Sequence, residues 1–364
     1  MSERLRDASE GLRHDPADSE VRALIEVMRE GVLAGPEIYR PGAFWDRLIA
    51  QNLEMLQADG IANFKRTVSN NYYNWLVFSR KHPQARHAVW SWLRRPTLAP
   101  LRNRLDEPQT VLRSQFQRGP FALSTRQRWW YKFFVGVAWE TARREQTRDL
   151  TESLQEPEVG NPIGVRHRER LISQDLANSI IEFTFAARSG VVEDGARVAE
   201  LGAGYGRLAY VHSQACTLTY CIFDIPPALA VAQWYLTAVL GAEHVVPYAL
   251  GQDFRSVESR LTPGVVAFFT PHQLATFPDG WFDCAQTIST LPEMPAAQSA
   301  RYLELLAAKS RRAIFLKQWK EWRNRPDDVL LREEDYKLPA PWRLAERRTD
   351  PIQPAFFNQL WLRS

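Results

Sequence analysis

Hydrophobic and polar positions follow two different rhythms along this chain. Up to about residue 155, apolar residues recur at the three-and-four spacing of helices. Val21, Leu24, Ile25, Met28 and Val32 make one stripe, with Asp18 or Ser19 as its cap. Phe44, Trp45, Leu48, Ile49, Leu53 and Leu56 make a second, which stops at Gly60. Trp129, Trp130, Phe133, Phe134, Val137 and Ala138 make a third, opened by Ser124 or Thr125. Between these stripes lie NFKRTVSNNYYNWLVFS (63–79), dense in Asn and aromatic residues, and a connection marked by Pro96, Pro100 and Pro108.

The stretch TESLQEPEVGNPIGV (151–165) carries turn residues throughout and predicts a hinge, with a helical region over 1–155 and a second domain over 156–364. SQDLANSIIEFTFAARSG then reads as a helix begun by Ser173 and ended by Gly190. Beyond it the period changes. ARVAELGAGYGRLA gives a strand, a glycine turn and a helix; LTYCIFDIP gives a second strand; PALAVAQWYLTAVLG gives a helix closed by Gly241. GVVAFFTPHQL, WFDCAQTIS and AIFLKQW are the third to fifth strands, with helix AQSARYLELLAAKS before the last, and the C-terminal stretch suits a closing antiparallel pair. Strand–helix alternation of this kind predicts an α/β fold, a mostly parallel sheet covered on both faces.

Charge and composition exclude several classes. Lys plus Arg is 46 against 42 Asp plus Glu, a formal charge of +4, with the basic residues interleaved among acids. That balance predicts no nucleic-acid partner, and Arg94-Arg95 and Arg311-Arg312 read as solvated surface. Three cysteines make neither a disulfide framework nor a zinc spacing, and the His residues lack ligand spacing with partner acids. A cytoplasmic protein with no metal and no membrane span is expected, since no apolar run of about 18 residues or leader pattern occurs.

The strongest chemical signal is Glu200-Leu201-Gly202-Ala203-Gly204-Tyr205-Gly206-Arg207, at the first strand-to-helix turn. Glycines there let the backbone turn tightly and a ligand come close. Dinucleotide turns follow G-x-G-x-x-G, but here Arg207 stands in place of the third glycine. An acid just before the turn disfavours pyrophosphate and favours a cationic ligand. Asp224, twenty residues past Gly204, ends the second strand, where a carboxylate accepts ribose hydroxyls. The pair reads as an S-adenosylmethionine site, with Glu200 on the methionine amine, Ala203, Arg207 and Ile225 lining it, and Gln273 on the adenine edge.

Residues 198–212, VAELGAGYGRLAYVH, resemble the first motif of class I S-adenosylmethionine-dependent methyltransferases. A longer set is similar to bacterial sugar O-methyltransferases found with polysaccharide-building enzymes. It comprises NFKRTVSNNYYNWL, GNP (160–162), SQDLANSIIE, FDIPPALAVAQWYL, PHQL (271–274), Ser289 to Met294, KQWK (317–320) and EEDYKLP (333–339). Pro292 and Thr287 depart from the residues common in that family. The resemblance implies a Rossmann-like sheet of seven strands and O-methylation of a sugar or glycosylated acceptor, a small molecule or glycan.

Methylating a hydroxyl requires alignment of the nucleophile and removal of its proton. His272, at the end of the third strand, is one candidate base, or else a hydrogen-bonded residue near adenine. Glu293, just after the fourth strand, is the other, or else a capping carboxylate. Lys317 orients sugar oxygens, pairs with Glu293, or is a surface lysine. Asn70, Tyr72, Tyr73 and Trp75 offer amides and a stacking ring for a lid over the acceptor, or simply a packed helix start. Three rivals stand beside this reading: a methyltransferase for an aromatic natural-product scaffold, a catalytically silent binding protein, and an NAD-dependent oxidoreductase, which Arg207 disfavours. The oligomeric state stays open.

Overall fold

The computed structural model describes residues 17–68, 77, 81–114 and 119–364. They divide into two compact units, and the chain passes between them several times. One comprises residues up to 20, 51–182 and 351–354; the other comprises 21–50, 183–350 and 355–364. The expected boundary at 155/156 falls inside the first unit. The turn-rich stretch there runs on into a short antiparallel hairpin, Val165–His167 with Arg170–Ile172, rather than releasing the chain.

In the first unit, Ser124 caps the helix Thr125–Glu145. Its hydroxyl accepts from the Gln127 amide at 3.3 Å, and the Gln127 side chain accepts from the Ser124 amide at 2.9 Å. The helix Pro83–Arg94 was not legible in the pattern. It starts at Pro83 behind His82, and it buries only Gln84, Ala85 and Ala88, a stripe too small to register as apolar. Gly160 has φ +84, and a Cβ there would lie 2.4 Å from the Phe64 ring, so GNP and NFKR are packed face to face. The lid candidates Asn70, Tyr72, Tyr73 and Trp75 lie outside the described residues.

The second unit is built on one large sheet. Its strands are β1 (Arg197–Leu201), β2 (Thr219–Phe223), β3 (Val245–Val246), β4 (Val266–Phe269), β5 (Phe282–Ile288), β6 (Ser310–Trp319), β7 (Trp342–Thr349) and β8 (Phe356–Arg363). Helices α1 (Arg207–Ala215), α2 (Ala228–Leu240) and α3 (Ala296–Lys309) connect them. The spatial order is β7-β8-β6-β5-β1-β2-β4-β3, parallel except for the pairs that β8 makes with β6 and β7. There are eight strands where seven were expected. The extra one, β3, is a two-residue edge strand, too short to carry a period. All residues of β2 and β4 are buried, as strands covered on both faces must be.

From β1 the chain runs outward through β2 and β4 on one side, and through β5 and β6 on the other. The sheet therefore has a switch point between β1 and β5. In open α/β sheets the carboxyl edge at such a point is where ligands bind. Among the described residues, no helix is long and apolar enough to cross a membrane.

Candidate active site

Both strands that flank the switch point end in constrained backbone. After β1, Gly202, Gly204 and Gly206 have φ of +77, +60 and +84, a left-handed region that side chains rarely adopt. A Cβ on Gly202 would lie 2.0 Å from Thr290 Oγ1, so the β1 turn and the exit of β5 are in contact. Gly206 caps α1, Ala203 is buried, and Arg207 opens the helix half-exposed. Ser289, between β5 and Thr290, holds φ +58 without being glycine, and Trp319 Nε1 donates to its hydroxyl at 3.2 Å. Gly202→Ala is expected to destabilise the protein by at least about 1–3 kcal/mol from backbone strain alone. Urea unfolding measures this; an unchanged midpoint would mean that Thr290 swings clear and the turn is less tight than it looks.

Asp224 follows β2. Its Oδ2 accepts from the Gly204 amide at 2.8 Å and its Oδ1 from the Ile225 amide at 2.7 Å. A carboxylate has about four acceptor positions, so lone pairs remain on both oxygens. Burial pushes its carboxyl up to about 7, against the opposing pull of the backbone amides. Ile225 is half-buried beside it.

Glu293 closes the short turn Leu291–Glu293 after β5. It is 5% exposed, and among the described residues no group donates to its carboxylate. Burial raises its pKa well above the carboxylate range, and the neighbouring charge of Asp224 raises it further. Neither acid has a Lys, Arg or His partner among the described residues. Three tyrosines complete the surroundings. The Tyr39 and Tyr302 rings lie 5.6 Å apart, and the Tyr302 phenol is held protonated by burial, Tyr39 and Asp224. Tyr336 is buried, its hydroxyl has no hydrogen-bond partner among the described residues, and it senses the charges of Asp335 and Glu293. The sequence reading missed the tyrosines, although Tyr336 stands within EEDYKLP; only the fold brings it to the end of β5.

Other expected site residues differ in place. Glu200 lies within the sheet, where its Oε2 accepts from the Tyr220 hydroxyl at 2.6 Å. Tyr220 accepts in turn from Gln286, whose amide lies 3.3 Å from His212 Nε2. Burial pushes His212 down to about 3, so the network is uncharged at its far end. Glu200 thus anchors a buried polar network instead of standing open at the turn. Gln273 uses both ends of its amide locally: Oε1 accepts from the Thr270 amide at 2.7 Å, and Nε2 donates to the Gln252 carbonyl. Its oxygen is thereby committed, and one N–H of the amide is left for the expected adenine contact. His272, half-buried at the end of β4, has Nδ1 3.3 Å from the Thr270 hydroxyl, and its ring lies so close to Gly35 that a Cβ there would meet it at 2.7 Å. Burial lowers its pKa, which keeps the ring neutral. Lys317 is fully buried and pairs with Asp350 at 2.9 Å, not with Glu293. Asp350 also accepts from Asn358 on β8 at 3.2 Å, so antiparallel closure supplies this partner. Among the described residues no cluster of His, Cys, Asp and Glu is arranged to hold a metal.

No family model matches the chain, and no curated protein matches its sequence. It is similar to several solved structures. One is the magnesium protoporphyrin IX methyltransferase ChlM of Synechocystis PCC 6803 with bound S-adenosylmethionine, at 16% identity over 52% of this chain and 79% of that one, TM-score 0.37. Another is the [4+2]-cyclase SpnF, at 13% identity over 52% and 82%, TM-score 0.36. A third is the 1,6-didemethyltoxoflavin-N1-methyltransferase of Burkholderia thailandensis with S-adenosylhomocysteine, at 15% identity over 52% and 78%, TM-score 0.33.

Proposed function

We propose that this protein transfers a methyl group from S-adenosylmethionine to a hydroxyl of a sugar or glycosylated acceptor. The observation that carries the cofactor reading is the pair Asp224 and Glu293. Two buried carboxylates, with no counter-cation among the described residues, stand at a switch point beside a glycine turn. Such a pair is costly in the free protein, because burial and mutual repulsion both oppose ionisation. A ligand carrying positive charge relieves that cost; a nicotinamide dinucleotide, with its pyrophosphate, adds to it.

The residues fit the group. Gly202, Gly204 and Gly206 leave backbone open to close approach, Asp224 keeps lone pairs for ribose hydroxyls, and Ala203, Ile225 and Arg207 border the turn. When bound, S-adenosylmethionine supplies a methyl carbon activated by a sulfonium charge. Glu293 serves as the base, taking the proton that the acceptor hydroxyl gives up. Positive charge nearby lowers the pKa of both acids, so Glu293 is ionised when its side of the site is filled. Tyr336 positions the acceptor oxygen through its unpartnered hydroxyl. His272, fixed by Thr270 and Gly35, borders the far end of the cofactor rather than the reacting atoms. The sugar reading is supported by the resemblance of PHQL, Ser289 to Met294 and KQWK.

Calorimetry with S-adenosylmethionine and with NAD, followed by labelled-methyl assays on nucleotide sugars, oligosaccharides and aromatic phenols, tests both halves. Saturable binding of the sulfonium donor alone, with label on the sugars, is expected. Binding of NAD alone would end the cofactor reading. Turnover confined to phenols would move the acceptor to an aromatic scaffold.

A further inference from the structure

The sequence from Lys81 to Arg104 contains six basic residues, Lys81, Arg86, Arg94, Arg95, Arg102 and Arg104, and no Asp or Glu. In a chain whose charges otherwise interleave, this acid-free run stands apart. It folds as the helix Pro83–Arg94, a proline-marked turn and the short helix Ala99–Arg102, all within the first unit. The run is braced along the helix Thr125–Glu145. The Trp92 ring lies 5.5 Å from Phe133, a Cβ on Gly136 would lie 2.6 Å from Pro100 Cα, and Arg144 donates to the Arg95 carbonyl at 3.1 Å. The outward face is therefore a fixed platform.

That face is apolar as well as basic. Trp90 is 49% exposed, Leu93 62% and Leu98 60%; Leu101 and Trp129 are also exposed. These five are nearly half of the eleven large hydrophobic side chains exposed among the described residues, so the patch is a concentration and not scatter. Trp90, Leu93 and Arg94 share one helix face by spacing, and the Arg94 guanidinium stacks 3.3 Å over the Trp90 ring.

We infer that this face docks on an anionic lipid bilayer, with Trp90, Leu93, Leu98 and Leu101 entering the interface and the arginines meeting lipid headgroups. Tryptophan and leucine beside arginine, with acids absent, is the composition that favours the headgroup boundary over water. The leucines decide against nucleic acid, because an aliphatic side chain gains nothing from a phosphodiester backbone. The absence of acids complements a negative surface at every exposed ionic position of the run; Arg104 additionally pairs with Glu169 at 3.2 Å.

Co-sedimentation of the full chain with phosphatidylcholine vesicles, and with phosphatidylcholine–phosphatidylserine vesicles, reads this directly. Pelleting is expected with the phosphatidylserine vesicles only, declining as salt is added. Arg94→Glu with Arg95→Glu should weaken it roughly tenfold or more. Leu93→Glu with Leu98→Glu should abolish it even at low salt; both pairs are exposed, and circular dichroism confirms that the fold survives. The inference is overturned if the phosphatidylserine vesicles leave the protein in solution, if both variant pairs pellet like the natural chain, or if duplex DNA is bound more tightly than the vesicles.

Discussion

Asp224→Asn is expected to weaken S-adenosylmethionine binding by roughly a hundredfold or more, since it removes a buried negative charge and two charge-assisted acceptors together. In the natural chain the same affinity should depend on pH in a way that identifies the group. Burial raises Asp224 to about 7, so below that pH the free protein carries a neutral carboxyl there. A cationic ligand selects the ionised form. Affinity therefore rises with pH, by up to about tenfold per unit below the midpoint, and levels off above it. Binding at neutral pH should release protons, visible as a dependence of the calorimetric heat on the buffer. The asparagine variant should lose the part of both effects that belongs to Asp224, leaving only what Glu293 contributes. Stability of the free protein should run the other way. Between the ordinary value of 3.8 and about 7 the folded state holds a proton that the unfolded chain has lost, so stability falls as pH rises through that window. Equal affinity a unit below and a unit above the midpoint would remove Asp224 from the binding account.

The parts of this site that rest on local chemistry were legible in the sequence, and the parts that rest on chain closure were not. Three glycines in five residues after an apolar strand demand a tight turn wherever the chain goes, and an acid ending the next strand must face the same edge. Glu293 could be placed at that edge by its position after β5. Its burial could not, because Tyr336, which senses its charge, comes from a segment beyond β6. Lys317 shows the same limit. Its partner Asp350 is distant in sequence and arrives only because β8 returns antiparallel beside β6. Gln273 shows a different limit: an amide three residues after Thr270 completes a capping box, a local use that competes with any ligand. The helix Pro83–Arg94 does not register in the pattern because two of its large apolar residues, Trp90 and Leu93, point outward. That inversion of the usual pattern is the same feature that marks the face as a docking surface.

Glu293→Gln should lower kcat roughly a hundredfold to ten-thousandfold, the range for loss of a positioned base. The change is nearly isosteric, so the turn Leu291–Glu293 should keep its shape and cofactor binding should survive in large part. The pH profile of kcat should lose its lower limb in this variant, a change that a merely structural Glu293 would not produce. Tyr336→Phe separates the chemical from the structural contribution of its neighbour. A buried hydroxyl without a partner costs stability, so its removal should raise the melting temperature while kcat drops. A variant that melts lower and turns over normally would make that hydroxyl a structural group. If Glu293→Gln turns over at the natural rate with its pH profile unmoved, the acceptor proton leaves by another route. The two buried acids would then serve only to draw a positive ligand into the site.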